Sequence, residues 1–336
     1  MEKLRLCIVT DAWHPQINGV VTTIENIVKH AEKDGWEVLV IHPSMFLNFK
    51  APRYPEVRLA IPFNMIKKIK EFKPNHLHVA TEGPLGLRAR IAYRKKVYTT
   101  AYHTSWDSIV KKILGVPESL TRKYLRWFHS HGQVMVATES IASYLRDHKI
   151  ANNIKPLTRG VDLKKLNPTI SRKVKQGSKP VLLSVGRVSK EKNLESFCQL
   201  DTDKYELRLV GDGPVLKELK EKYPRVHFTG TLIGSELANE FLNADCFVFT
   251  SKSDTFGLVI IEAMYFGTPV ASYPVAGPID IIDSGITGYC DEDLEKAIHM
   301  SLSLNRDEIK SKTRDRFTWK NAWNQFKNNL VEYTEE

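Results

Sequence analysis

Cysteine is scarce in this chain: four among 336 residues, at Cys7, Cys198, Cys246 and Cys290, with no two at metal-ligand spacing. That scarcity excludes a disulfide framework and a zinc module. Three of the four lie in or beside apolar segments, which reads as reduced core thiols of a cytosolic protein. Long apolar runs are missing too. None approaches the ~20 residues that cross a bilayer, and Met1-Glu2-Lys3 runs straight into a short strand where a leader would place its apolar region. The chain is therefore expected to be soluble or peripheral. No solenoid-length repeat occurs, and an apolar content of 42% suits a folded protein long enough for two domains, each with its own core. Acid is short in one half only. Up to residue 165 there are 27 lysines and arginines against 14 acids, and beyond it 22 against 25. A basic first half points to an anionic partner: nucleic acid, an acidic substrate or a membrane surface.

What is present is alternation. In the first half, residues 4–10, 37–41, 57–61, 76–80, 97–102 and 133–137 read as strands, each beside a helical pattern such as residues 20–33. The second half repeats the alternation, with strands expected at 180–185, 206–210, 226–228, 245–250 and 269–272. Residues 163–179 between them are polar, carry Pro168 and Gly177, and suit a linker. Trp319, Ala322, Trp323, Phe326 and Leu330 mark a final amphipathic helix. The class is doubly wound α/β, with ligands expected at the carboxyl ends of the strands, where Asn18-Gly19, Thr81-Glu82-Gly83 and His103 fall.

Residues 251–269, SKSDTFGLVIIEAMYFGTP, follow a buried strand and read as loop, then helix, stopped by Gly267-Thr268-Pro269. Two acids stand eight residues apart, Asp254 before the helix and Glu262 inside it. Backbone N–H groups around Phe256, Gly257 and Leu258 face out of the helix start, a seat for phosphate or a sugar hydroxyl. The pattern resembles the E-x7-E signature of the retaining glycosyltransferases of family 4, which have the GT-B fold, with Asp replacing the first Glu.

The resemblance runs through the whole chain. Arg187 and Lys192, in Gly186-Arg-Val-Ser-Lys-Glu-Lys192-Asn193, match the family's diphosphate-binding cations. Arg159-Gly-Val-Asp162 is similar to its interdomain element, and His103 in Ala-Tyr-His-Thr matches a His facing the donor sugar. Gly19 matches a glycine loop near the diphosphate, and Thr229-Gly-Thr-Leu232 the segment near the base. The resemblance implies that Asp254 contacts sugar hydroxyls and Glu262 the ribose. It implies two Rossmann-like domains facing across a cleft: residues 1–165 for the acceptor and membrane, 166–318 for the nucleotide sugar, and 319–336 a helix crossing back. Residues 81–87 resemble a subgroup that glycosylates lipids or lipid-linked acceptors.

The expected activity is retaining, metal-independent hexosyl transfer from a nucleotide-diphosphate sugar, UDP-sugar favoured, to a membrane lipid such as diacylglycerol. Alternatives are a GDP-mannose-dependent α-mannosyltransferase acting on a polysaccharide or phosphoinositide acceptor, and a nucleotide-sugar epimerase of GT-B fold. No cofactor is expected beyond the co-substrate. Asp201-Thr-Asp203 and Asp291-Glu-Asp293 carry the metal signature of another glycosyltransferase fold; the first precedes a strand and the second sits at a helix start, so both are expected to be structural. The partners expected are the nucleotide sugar, the lipid acceptor and an anionic membrane, and not nucleic acid. The protein is expected to be a monomer, peripheral on the cytoplasmic face. Two segments mix apolar and basic residues, 64–73 (NMIKKIKEFK) and 108–130, and are expected to lie on the bilayer with their apolar side chains shallowly inserted.

Overall fold

The computed structural model describes residues 3–16, 18–51, 54–103, 116–162, 166–172, 177–252 and 254–333. The chain divides into two compact units, residues 1–159 with 319–336, and residues 160–318. Each is built on one parallel sheet.

In the first unit the strands are β1 (Arg5–Val9), β2 (Glu37–Ile41), the pair β3 (Asn48–Ala51) and β4 (Tyr54–Ala60), then β5 (His76–Val79), β6 (Tyr98–Tyr102), β7 (Gly132–Val136) and β8 (Ile154–Pro156). Their order in the main sheet is β2-β1-β5-β6-β7-β8. Helices cover both faces. Met65, Ile69, Leu85 and Phe128 pack on one, and Ile24, Ile27, Trp323 and Phe326 on the other. Residues 57–61, expected as a strand of this sheet, instead pair antiparallel with Asn48–Ala51 in a separate hairpin. Too little chain separates β2 from β4 for the helical crossover that a parallel neighbour requires, so the segment folds back on itself.

The last helix, Trp319–Asn328, belongs to this first unit. Trp323 donates its indole N–H to Asp34 at 2.7 Å, and its ring meets Trp36 edge-on. Just beyond that helix, His76 Nδ1 lies 2.9 Å from the Val331 carbonyl.

The second unit contains β9 (Val181–Val185), β10 (Glu206–Val210), β11 (His227–Gly230), β12 (Cys246–Phe249), β13 (Val270–Ser272) and β14 (Gly288–Cys290), in the order β11-β10-β9-β12-β13-β14. The chain turns from one direction of winding to the other between β9 and β12, and in the first unit between β1 and β5. Crevices outside the carboxyl ends of strands at such points are where open α/β sheets bind ligands.

Among the described residues no helix is long and apolar enough to cross a membrane. The expectation that the two basic segments insert is corrected for the apolar side chains that the core takes up, whereas Leu120 and Trp127 of the second segment are exposed. Met65 and Ile69 of helix Met65–Phe72 are fully buried, and Ile66 and Phe72 pack on the same core, as does Phe128 of helix Glu118–His129; Leu125 of that helix is fully buried too. A 3.6-residue period places one side of each helix on the sheet, which leaves the lysines in solvent. Residues 108–115 lie outside the described residues.

Candidate active site

At the switch point of the second unit, two loops are stitched together. The loop after β9 holds a short 3-10 turn, Lys190–Lys192, and the loop after β12 holds Asp254. Thr250 donates its hydroxyl to the Lys192 carbonyl at 2.9 Å, and Asn193 donates to the Thr250 carbonyl at 3.4 Å. With the backbones so fixed, the Lys192 ammonium meets both oxygens of Asp254, at 2.8 and 2.7 Å. Each side chain is about a quarter exposed. The two groups assigned from sequence to different parts of one ligand are thus already paired. A cation and a carboxylate side by side offer a donor for phosphate oxygens and an acceptor for hydroxyls.

Arg187, exposed on the same loop two residues past β9, adds a second cation. Gly257 caps helix Leu258–Tyr265 with φ 89°, and Phe256 before it is buried. The loop before Gly257 is backed by Gly277, which sequence reasoning missed. A Cβ there would lie 3.0 Å from the Asp254 carbonyl and 3.1 Å from the Phe256 nitrogen, and its φ is 91°. Gly277-Pro278, five residues past the strand expected at 269–272, was the available signal.

Glu262 lies on the second turn of that helix, half-buried, with no hydrogen bond or ion pair among the described residues. Burial alone raises its carboxyl to about 7. A desolvated acid with no compensating donor is costly to the fold, and such residues mark functional sites. Leu232 lies past β11 at the sheet's edge, lining a shallow depression with Thr229, Glu236 and Glu240.

The first unit gathers its polar residues at the carboxyl ends of β1, β5 and β6. Asp11 follows β1. Its carboxylate accepts from the Thr81 hydroxyl at 2.9 Å and from the Leu85 and Gly86 amides at 2.8 and 3.3 Å, which caps helix Pro84–Ala92. Burial pushes Asp11 up to about 6 against those bonds. Residue 86 must be glycine for a steric reason, since a Cβ would meet the Thr81 carbonyl at 1.9 Å. The neighbouring Glu82 is buried with His129, whose Nε2 lies 3.3 Å away and whose Nδ1 contacts Thr100 at 2.9 Å. Gly19 opens helix Gly19–Lys33, where the Asn18 side chain accepts from Val20 and Val21.

His103 leaves β6, and Arg159 donates to its Nδ1 at 2.9 Å. The guanidinium has donors only, so the bond leaves the ring proton of neutral His103 on Nε2. Arg159 is buried and anchored by donating to the Leu157 carbonyl at 2.6 Å. Burial first, then the Arg159 charge and His78, hold the His103 pKa well below the ordinary imidazole value. Its ring is neutral at physiological pH. Sequence reasoning saw both residues but not their contact, because they stand 56 residues apart.

The two D-x-D stretches serve local structure. Asp201 accepts from the Asp203 amide at 2.8 Å; Asp293 caps helix Leu294–Ser301, and Asp291 is paired with Lys296 at 2.6 Å.

Two doubly wound units, each with polar loops at its switch point, are the architecture of the GT-B fold, and comparison with known proteins gives the class as glycosyltransferase. Residues 17–165 match the family model "Glycosyltransferase Family 4", and residues 167–318 match "Glycosyl transferases group 1". A GDP-mannose-dependent alpha-mannosyltransferase of Corynebacterium glutamicum is 30% identical over 315 residues, 85% of this chain and 76% of that protein. An alpha-monoglucosyldiacylglycerol synthase of Streptococcus pneumoniae is 27% identical over 354 residues, 90% of this chain and 79% of that one. Among solved structures, sucrose-phosphate synthase from Thermosynechococcus elongatus is similar with a TM-score of 0.77 at 18% identity, covering 97% of this chain and 98% of that chain. The chain belongs to glycosyltransferase family 4.

Proposed function

We propose that the protein is a retaining, metal-independent hexosyltransferase that moves a sugar from a nucleotide-diphosphate sugar, UDP-sugar favoured, to a membrane lipid such as diacylglycerol. The observation that carries this reading is the Lys192–Asp254 pair beside Arg187, at the switch point of the second unit. Arg187 and Lys192 neutralise the diphosphate as the glycosidic bond breaks. Asp254 accepts from hydroxyls of the transferred sugar, and Glu262 from the ribose. Gly19 and the backbone at Phe256, Gly257 and Leu258 approach the phosphates, and Leu232 borders the base. His103, neutral with its proton on Nε2, donates a hydrogen bond to a sugar hydroxyl.

In the reaction the acceptor oxygen attacks the anomeric carbon from the side the diphosphate leaves. The carbon–oxygen bond to phosphate breaks with its electron pair going to the leaving group, and a phosphate oxygen takes the acceptor's proton. Retention follows from attack and departure on one face.

The Streptococcus pneumoniae relative's name and the basic first half support the lipid acceptor. A second reading, GDP-mannose-dependent α-mannosyl transfer, is supported by the name of the Corynebacterium glutamicum relative. Mass spectrometry of lipids from cells expressing the chain, with purified enzyme assayed on diacylglycerol and on UDP-hexoses against GDP-mannose, separates them. A new hexosyl-diacylglycerol made from a UDP-sugar supports the first reading. Turnover with GDP-mannose and no new neutral glycolipid supports the second.

A further inference from the structure

The hairpin β3–β4 carries an apolar face that is largely exposed among the described residues. Directly opposed residues on antiparallel strands point the same way. The register pairs Phe49 with Leu59, and the Ile61 amide donates to the Leu47 carbonyl at 2.8 Å. Leu47, Phe49, Leu59 and Ile61 therefore share one side, with Phe63 two residues beyond. Exposure is 75% at Leu47, 54% at Phe49, 49% at Ile61 and 76% at Phe63. The other side of the hairpin faces inward: Ala60 is buried in the cluster that holds Met65 and Ile69. Hairpin and helix Met65–Phe72 thus share one core cluster. Large apolar side chains grouped this way on a surface mark an interaction site.

The charge around this face selects its occupant. Residues 44–74 contain seven lysines and arginines against two acids, and Lys50, Lys67, Lys68, Lys70 and Lys73 are exposed. A second copy docked on the same face would bring two such cationic rims together, whereas an anionic bilayer neutralises the rim and dissolves the apolar side chains. We infer that this hairpin face is the element that enters the membrane, with the lysines of helix Met65–Phe72 resting on anionic headgroups. This rests on the lipid-surface reading of the protein and adds the inserting part, which the buried side chains of that helix cannot supply. Aromatic and aliphatic side chains at an interface enter about 5–10 Å, to the headgroup–acyl boundary.

Flotation of the full chain on phosphatidylcholine vesicles, with and without phosphatidylglycerol, tests this. The variants are Leu47→Ser/Phe49→Ser/Ile61→Ser/Phe63→Ser and the milder Leu47→Ser/Phe63→Ser. Solvent-exposed positions leave the fold intact, which an unchanged unfolding midpoint verifies. The wild type binds more strongly as phosphatidylglycerol increases. The four-serine variant binds the anionic vesicles on the order of 10–100-fold more weakly, and the two-serine variant falls between. Full binding by both variants on vesicles that hold the wild type overturns the hairpin assignment and leaves the lipid-surface reading standing. A wild type that floats equally on both vesicle types, or on neither, overturns that reading as well. A concentration-dependent dimer by light scattering, lost in the serine variants, makes the face a self-interface and overturns the assignment.

Discussion

Substituting Glu262 by glutamine separates what a residue does for the fold from what it does for a ligand. Its carboxyl is raised from 4.5 to about 7 by burial, with no partner among the described residues to offset the desolvation. Between those two values the unfolded chain has lost the proton and the folded chain keeps it, so stability falls as pH rises through that window. Above about 7 the full penalty remains. At 1.36 kcal/mol per pKa unit the penalty is ~3 kcal/mol at its upper limit. Glutamine keeps the shape and never ionises. Glu262→Gln is therefore expected to raise the unfolding midpoint by several degrees at about pH 8, and by far less at about pH 5.

Binding moves the other way. Ribose hydroxyls donate best to an ionised carboxylate, so wild-type affinity for the nucleoside diphosphate declines on acidification below about 7, at most tenfold per pH unit. The ligand's own phosphate titrates in this range, so the informative quantity is the wild-type minus variant difference, by calorimetry from about pH 5.5 to 8. That difference is largest at the alkaline end and vanishes toward the acid end. A variant no more stable than wild type at about pH 8 refutes the uncompensated carboxylate. A pH-independent affinity difference refutes its contact with the nucleotide.

Two further outcomes follow from the same sites. Arg159→Met removes the donor to His103 Nδ1 and a neighbouring charge that opposes imidazolium formation, so the acid limb of the transfer rate moves toward neutral pH; Arg159→Lys restores much of it, whereas a uniform loss at every pH shows a purely structural role. Arg187→Ala and Lys192→Ala each lower transfer roughly 10²–10³-fold, the usual cost of one transition-state donor, while EDTA leaves the wild-type rate unchanged; abolition by chelator and rescue by Mn²⁺ would reopen the D-x-D stretches.

Much of the architecture was legible from local pattern alone. β2 and β10 fall on their expected residues, 37–41 and 206–210, because an apolar run bounded by turns defines a buried strand. The three-residue strands β8 and β14 were missed, whereas β13, equally short, was found because the helix stop at Gly267-Thr268-Pro269 marks its start. The hairpin was misplaced because alternation reports a strand and not its partner. The second unit's site was readable as single residues, through the loop at Gly186 and the spacing of Asp254 and Glu262. Its coupling was not: Lys192 and Asp254 are 62 positions apart. Asp11 escaped attention for the same reason, as its acceptors are used 70 and more residues away, at Thr81, Leu85 and Gly86. Local sequence encodes an element's type, and long-range packing decides which polar groups share a site.

The return of helix Trp319–Asn328 to the first unit bears on how the polypeptide matures as it leaves the ribosome. Residues 160–318 form their unit from one uninterrupted stretch and need no later-made residue to complete their core. The earlier-made unit does. The side of its sheet against which Trp323 and Phe326 pack, along with Asp34 and His76, is covered only in part, by Ile24 and Ile27, until residues past 319 have been made. The half that emerges first is therefore the half that finishes last, and its basic, apolar-edged surface passes through translation on an unfinished scaffold.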